Sequence, residues 1–341
     1  MYNFWNKRRV ALLGGASLIG THLGKALMEK DVSHLFIADD LSAGSGRNIK
    51  PLLDQGAELR ICDLRNYEVA KECVSKYDIV FDLAAQHGGR GYVDTHSVEL
   101  YDNLSLDTTI FRACMYSEVE KVIFSSSACA YPINIQTDTN EILKLSEDLI
   151  DYKNVQQPDG AYGLEKLVGE MTLDAYIKYG AFKGCSTRSF TVYGELMKES
   201  HAIAALIAKT MIKQDPFEVW GDGQQIRNWT YVEDNVAGAL LAAEHLDQGA
   251  INIGIETRLT PMIACEIIWD YVGWKPNEIK FQPDKPVGVV NRVANSSKIK
   301  ALGWIPKYTF EEGLRRTIDW YYQTHDETVI KDKLERLLVS R

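Results

Sequence analysis

Short runs of apolar residues punctuate the first part of the chain, at residues 10–13, 35–38, 59–62, 79–83 and 122–124. Runs of this kind suit strands covered on both faces, which means a parallel sheet with helices on either side. Around them, apolar residues recur at three- and four-residue spacing over 21–30, 68–76, 98–117 and 161–179, and these segments predict helices. The alternation predicts an α/β chain doubly wound about one parallel sheet. Beyond residue 188 the pattern becomes mixed, with helices at 201–213, 232–245, 261–272, 296–302 and 310–323 and strands at 217–220, 226–231 and 250–253. A smaller α/β substrate domain, interleaved with the first, accounts for the mixture. The expected division is residues 1–190 with a return at about 231–256, then 191–325, then a tail over 326–341. In that tail Val329, Ile330, Leu334, Leu337 and Leu338 have helical spacing, as a docking helix or a frayed end would.

With 341 residues, 45% of them hydrophobic, the chain has material for a sizeable core. A formal charge of −9 disfavours nucleic acid and membrane surfaces as partners. No apolar stretch reaches the length of a bilayer span, and the opening Met-Tyr-Asn-Phe-Trp-Asn-Lys-Arg-Arg lacks the apolar centre of a secretory leader, so a cytoplasmic protein is expected. The six cysteines are scattered without Cys-x-x-Cys or Cys/His pairing, which predicts neither a metal site nor a disulfide framework.

Chemistry concentrates in three segments. In Phe-Ser-Ser-Ser-Ala-Cys-Ala-Tyr-Pro, residues 124–132, Ser127 and Cys129 lie two apart, so on extended chain a hydroxyl and a thiol face the same way. In Ala-Tyr-Gly-Leu-Glu-Lys, residues 161–166, Tyr162 and Lys166 share a helix face, and an ammonium beside a phenol favours the phenolate, making Tyr162 a base near neutral pH. Near the start, Gly14, Gly15 and Gly20 bracket Ser17, Leu18 and Ile19 where the first strand meets a helix, a turn whose amides and dipole suit a pyrophosphate. Asp39, ending the second apolar run, is placed to accept both ribose hydroxyls and to repel a 2′-phosphate, which selects NAD over NADP. Asp63, closing the third strand, is placed to meet the adenine edge.

These segments, with Asp-Asp-Leu-Ser-Ala-Gly at 39–44, Leu83-Ala84-Ala85, Asn103, Trp-Gly-Asp-Gly at 220–223 and Arg-Asn-Trp-Thr-Tyr-Val-Glu-Asp at 227–234, resemble the extended short-chain dehydrogenase/reductases of the NAD-dependent sugar-nucleotide epimerase/dehydratase family over nearly the whole chain. The resemblance implies a Rossmann-like domain, NAD as cofactor, a nucleotide-sugar substrate and, with the two long helices, a homodimer. It implies cofactor contacts from Leu83, Ala84, Ala85 and Asn103, although Asn103 equally suits the pinning of a helix. It implies that Ser127, Tyr162 and Lys166 oxidise a sugar hydroxyl at carbon 4, Lys166 depressing the tyrosine pKa and holding the nicotinamide ribose. Ser17 departs from the glycine usual at its position, which bears on how closely the pyrophosphate approaches.

Within the family, Ser-Ser-Ala-Cys followed by an aliphatic residue and Tyr-Pro most resembles the GDP-mannose 3,5-epimerases, as do Gly88-Gly89-Arg90-Gly91-Tyr92, His96-Ser97-Val98, Gln157-Pro158 and Gly194. That likeness implies an acid/base role for Cys129 and substrate contacts from Gly89, Arg90 and Gly91. It puts His201 where those enzymes have a second acid/base lysine, with Lys198 as the competing candidate. The resemblance puts Arg227 and Arg292 at diphosphate-binding positions, where a planar guanidinium can clamp phosphate oxygens, and Glu218 and Trp220 near the nucleotide base. The leading expectation is epimerisation at carbon 3, carbon 5 or both through a transient 4-keto sugar. Plain 4-epimerisation, with Cys129 passive, is the alternative enzyme, and a non-catalytic NAD-sensing scaffold the alternative of another class. A 4,6-dehydratase is disfavoured because its adjacent Asp-Glu is replaced by Ala128-Cys129.

Overall fold

The computed structural model describes residues 4–338. The first apolar run becomes β1 (Arg9–Leu13), and the glycine turn leads into α1 (Leu18–Met28). There follow β2 (His34–Asp39), α2 (Gly46–Leu53), β3 (Glu58–Ile61), α3 (Tyr67–Val74), β4 (Ile79–Asp82), α4 (Arg90–Val93), α5 (Ser97–Met115) and β5 (Lys121–Ser127). Then come α6 (Gly160–Tyr179), β6 (Lys183–Ser189), β7 (Val192–Tyr193), α7 (Ala202–Met211), β8 (Phe217–Trp220), β9 (Thr230–Tyr231) and α8 (Val232–His245). The chain closes with β10 (Ala250–Ile253), α9 (Pro261–Val272), β11 (Ile279–Gln282), α10 (Ser297–Ala301), α11 (Phe310–Thr324) and α12 (Glu327–Leu337).

Seven strands pair in parallel in the order β10-β6-β5-β4-β1-β2-β3. The connections reverse between β1 and β4, where a doubly wound sheet opens a crevice at its carboxyl edge. Both sheet faces are dry: Val10 and Leu12 point into one cluster and Ala11 and Leu13 into another. That is why the run showed no polar alternation. The smaller pairs β8–β11 and β7–β9 lie outside the large sheet.

Several elements differ from the sequence expectation. β6 was not expected, because Lys-Gly-Cys-Ser-Thr-Arg-Ser reads as loop, yet Ser186, Thr187 and Arg188 are buried. The cause lies in α6, where Glu170 takes Arg188 in a two-pronged pair, Nε to Oε1 at 2.9 Å and Nη2 to Oε2 at 2.7 Å. Ser126 and Tyr152 also donate to Glu170, so the charge is fully bonded. The expected strand over 226–231 narrows to β9; Ile226 and Arg227 each form one isolated bridge, to Asn291 and Leu259. α2 carries Pro51 inside it, and α4, β7 and β11 are too short for periodicity to reveal. The tail is a docking helix: Ile330, Leu334 and Leu338 are buried and α12 packs on α7, whereas Val329 faces solvent. Residues 339–341 of the expected tail lie outside the described residues.

Glu170→Gln leaves the buried Arg188 guanidinium without its counter-charge and is expected to destabilise the fold by roughly 3–5 kcal/mol, with Arg188→Met in the same chain recovering most of the loss. Urea unfolding of the single and double variants measures both.

Candidate functional site

The glycine turn at the end of β1 is built for close approach. Gly14 sits at φ +77°, and a Cβ there would come 2.7 Å from Ala84. Ser17 caps α1: its Oγ accepts from Gly20 N at 3.2 Å and donates to Gly14 O at 2.9 Å. Its proton is thus spent on closing the turn, and Leu18 and Ile19 are the head-of-helix residues lining the cleft. Asp39 ties the turn to β2, accepting from Ala16 N at 2.9 Å and Leu41 N at 2.8 Å. Each carboxylate oxygen keeps a second lone pair for a ribose hydroxyl.

A recess at the sheet edge is lined by Gly14, Ser17, Asp39, Cys62, Asp63 and Leu83-Ala84-Ala85, as a bound adenosine half requires. Asp63 is gripped by Arg65 at 2.9 and 2.8 Å. Asn103 lines this recess too, and its amide ties the backbone of Gln86 to α5, accepting from N at 2.7 Å and donating to O at 3.0 Å. Together, the glycine cradle, the helix head and the acceptor at Asp39 fit NAD.

The recess continues into a cleft of about 470 Å³ lined by Ser127, Cys129, Tyr162, Lys166, Lys198, His201, Arg90, Arg227, Arg292, Gly89, Glu218 and Trp220. Gly91 is buried within α4 and does not line it. Cys129 departs from the expected extended geometry. It lies in a 3₁₀ turn, residues 128–130, that Ser127 caps by accepting from Cys129 N at 3.1 Å. Both side chains still reach the same cleft, because the turn begins at the cleft wall.

Tyr162 also departs from expectation in one respect. Burial raises its pKa above the ordinary phenol value; the Lys166 ammonium opposes this in the expected direction, as does Ser127, without outweighing the burial. Cys129 Sγ accepts a hydrogen bond from Arg292 Nη1 at 3.1 Å. Arg292 also donates to Gln136 at 2.9 Å and, through Nη2, to Asp159 at 2.9 Å. Asp159 takes Arg90 Nη1 on its other oxygen at 2.9 Å. Burial would raise the Asp159 pKa, but Arg292 and Arg90 hold it below the usual carboxylate value.

Among the described residues the Arg227 guanidinium donates to the carbonyls of Ile226 and Val287, both at 2.7 Å, and burial with the nearby Arg292 charge pushes its pKa down to about 9. A dianionic group in the cleft would relieve that repulsion. His201 sits at the head of α7, its pKa lowered to about 4 by burial and by Lys198. At the far wall Gln282 Nε2 donates to Glu218 at 2.9 Å, and the Lys285 ammonium lies 5.6 Å from the Trp220 ring centroid.

Three contributors escaped sequence reading. His87 stacks on Tyr162, ring centroids 4.5 Å apart, and lies 5.5 Å from the His201 ring. Its signal was position, between Leu83-Ala84-Ala85 and the Gly88-Gly89 motif. Asp159, one residue outside the Tyr162 helix, carried only its charge as a hint. Lys209 lines the cleft from α7 and donates to Glu218 O at 2.7 Å. The loop of His87 touches that of His201 at Gly89, where a Cβ would lie 1.5 Å from Ser200 O.

Among the described residues no cluster of His, Cys, Asp and Glu could hold a metal ion, and no helix is long and apolar enough to cross a membrane. Residues 10–254 match the model of the NAD dependent epimerase/dehydratase family. GDP-mannose 3,5-epimerase 1 of Oryza sativa subsp. indica is 30% identical over 98% of this chain and 85% of its own. A putative UDP-glucose 4-epimerase of Methanocaldococcus jannaschii is 28% identical over 91% of this chain and 97% of its own. The structure of a UDP-glucose 4-epimerase from Thermotoga maritima with UDP-glucose superposes with a TM-score of 0.81 at 25% identity, covering 93% of this chain and 99% of that one. With a glycine cradle and Asp39 that fit NAD, and a family match running through both ends of the cleft, the chain belongs to the NAD-dependent epimerase/dehydratase family and is an NAD-using enzyme of nucleotide-sugar chemistry.

Proposed function

We propose that the protein is an epimerase of a nucleotide-diphosphate hexose, GDP-mannose-like, acting at carbon 3, carbon 5 or both through a transient 4-keto sugar. The observation that carries this reading is the Cys129 thiol held by Arg292 at 3.1 Å in the same cleft as Ser127, Tyr162 and Lys166. A 4-epimerase has no use for such a thiol, and the likeness to the rice enzyme supports the same branch.

Gly14, Ser17, Leu18, Ile19, Gly20, Asp39, Asp63 and Leu83-Ala84-Ala85 hold the cofactor in this reading, with Asn103 keeping the loop in place. NAD, when bound, would supply the hydride acceptor for carbon 4 and a positive charge that adds to the pull of Lys166 on the Tyr162 proton. Tyr162 accepts the carbon-4 hydroxyl proton, while Ser127 hydrogen-bonds the same oxygen. Arg227 and Arg292 bind the diphosphate, Arg90 and Gly89 border the sugar, and Glu218 and Trp220 meet the base.

The 4-ketone acidifies the hydrogens on carbons 3 and 5, so Cys129 and His201 remove and return a proton on opposite faces through an enediolate. Burial and Lys198 keep His201 neutral at pH 7, and a dianionic diphosphate beside it raises its proton affinity again. The low pKa of His201 is also the observation that favours the second reading, 4-epimerisation by Ser127, Tyr162 and Lys166 alone. We divide the chain as residues 1–190 with 231–256 for the cofactor and 191–325 for the nucleotide sugar. A homodimer through α5 and α6 is supported by the exposed side chains of Val98, Tyr101, Tyr116 and Tyr179 on and beside these helices.

Incubation with NAD⁺ and GDP-mannose in D₂O is expected to place deuterium at carbon 3 or 5, read by NMR and mass spectrometry. Cys129→Ala and His201→Ala are each expected to abolish that label. An epimer formed without deuterium would mean 4-epimerisation instead. Tyr162→Phe is expected to lower turnover roughly 10²–10⁴-fold with dinucleotide binding retained, measured by fluorescence titration. Retained turnover would remove Tyr162 from the chemistry.

A further inference from the structure

Three carboxyl groups from three elements, none of them lining the cleft, act on Lys166: Asp82 at the end of β4, Asp107 on α5 and Glu165 on α6. All are at most 1% exposed. Neither oxygen of Asp107, neither oxygen of Glu165 and not Oδ2 of Asp82 accepts a hydrogen bond from a donor among the described residues. Asp82 Oδ1 accepts only the Ala84 amide, at 3.3 Å. The cation that acts on all three is Lys166, whose Nζ lies 3.2 Å from Glu165 Oε1.

Among the described residues the other groups acting on Asp82 and Asp107 add no positive charge. From β5 the Phe124 ring faces the Lys166 ammonium at 4.7 Å. On α6, Gly169 makes room for Asp107, whose Oδ2 lies 2.8 Å from where a Cβ would be. On α5 the Cys114 thiol faces Asp82 and is kept protonated by burial and by that carboxyl. Tyr162 stands beyond Lys166, its ring centroid 5.7 Å from Nζ.

Three ionised carboxylates against one ammonium are not tenable in a dry interior, where an uncompensated charge takes up a proton instead. Electroneutrality leaves one negative charge and two protons shared among the three groups, with Glu165 Oε1 the oxygen placed beside Nζ. Asp107 and Glu165 act on each other's charge across the α5–α6 contact, which would let a protonated Asp107 donate to Glu165. We propose that Asp82, Asp107 and Glu165 form a proton-sharing counter-ion for Lys166, a positioning set that fixes its ammonium and through it sets the proton affinity of Tyr162. The set does not touch the substrate. Its link to Tyr162 rests on the reading of Tyr162 as the base; its internal coupling does not.

Burial, only partly offset by Lys166, pushes the Asp82 carboxyl up to about 7, and burial drives Asp107 well above the ordinary carboxylate value. Both observations agree with the count of protons.

The test is a carboxyl ¹³C NMR titration of the NAD-saturated protein, with Asp82 assigned by Asp82→Asn. Asp82 is expected to titrate near neutrality in the wild type. In Glu165→Gln the counter-charge must pass to Asp82, so its midpoint falls by about one pH unit or more, a tenfold gain in acidity or better. Midpoints unchanged between wild type and Glu165→Gln, or three ordinary carboxylate titrations in the wild type, overturn the proposal. Should Glu165→Gln not fold, Asp107→Leu asks the same question: loss of the donor to Glu165 also lowers the Asp82 midpoint, and an unmoved midpoint overturns the coupling. In parallel, the acid limb of the turnover profile on GDP-mannose moves with Glu165→Gln, whereas a merely structural carboxyl changes the amount of folded protein and leaves the limb in place. A coupled titration in a protein that turns over no nucleotide sugar upholds the counter-ion and defeats the functional reading alone.

Discussion

The geometry of the cleft depends on one shared carboxylate. Asp159 receives Arg90 on one oxygen and Arg292 on the other, while its backbone amide donates to Cys129 O at 2.9 Å and its carbonyl accepts from Gly163 N at 3.0 Å. Four segments distant in sequence meet there: α4, the turn after β5, the head of α6 and the stretch leading to α10. Arg90 is held by Asp94 as well, so these two guanidiniums meet two carboxylates, and the surplus of positive charge is that of Arg227, which has no ion-pair partner among the described residues. A site charged in this way is stable beside an anionic ligand and strained without one.

Much of this was legible in the chain because its signals are local. The strands of the β1–β4 crevice announce themselves as apolar runs, interrupted only by Asp82 at the end of β4, since both faces of the sheet are covered. The glycine turn, Asp39 and the Tyr162/Lys166 pair sit at fixed offsets within single elements, so sequence spacing alone carries them into register. Phe217–Trp220, Val232–His245, Ala250–Ile253 and Pro261–Val272 were read to the residue for the same reason.

What escaped is relational. β6 hides because Arg188 is made acceptable to the interior by Glu170, a partner eighteen positions away on another element. Asp159 and His87 have no motif of their own and acquire meaning only from what folds against them. The extended course expected past Ser127 fails because that serine caps a 3₁₀ turn at once. Tyr162 shows the limit of pairwise electrostatics read from spacing: the direction of the lysine effect was right, but the cost of removing the phenolate from water, which depends on the whole fold, is larger.

The contact at Gly89 has a consequence for the shape of the cavity. Because a Cβ there would lie 1.5 Å from Ser200 O, even a methyl group would force the segment bearing His201 outward. The reach of that imidazole into the cleft is therefore metered by a missing atom on the opposite wall. Position 89 acts as a spacer gauge, the thinnest the genetic code can supply.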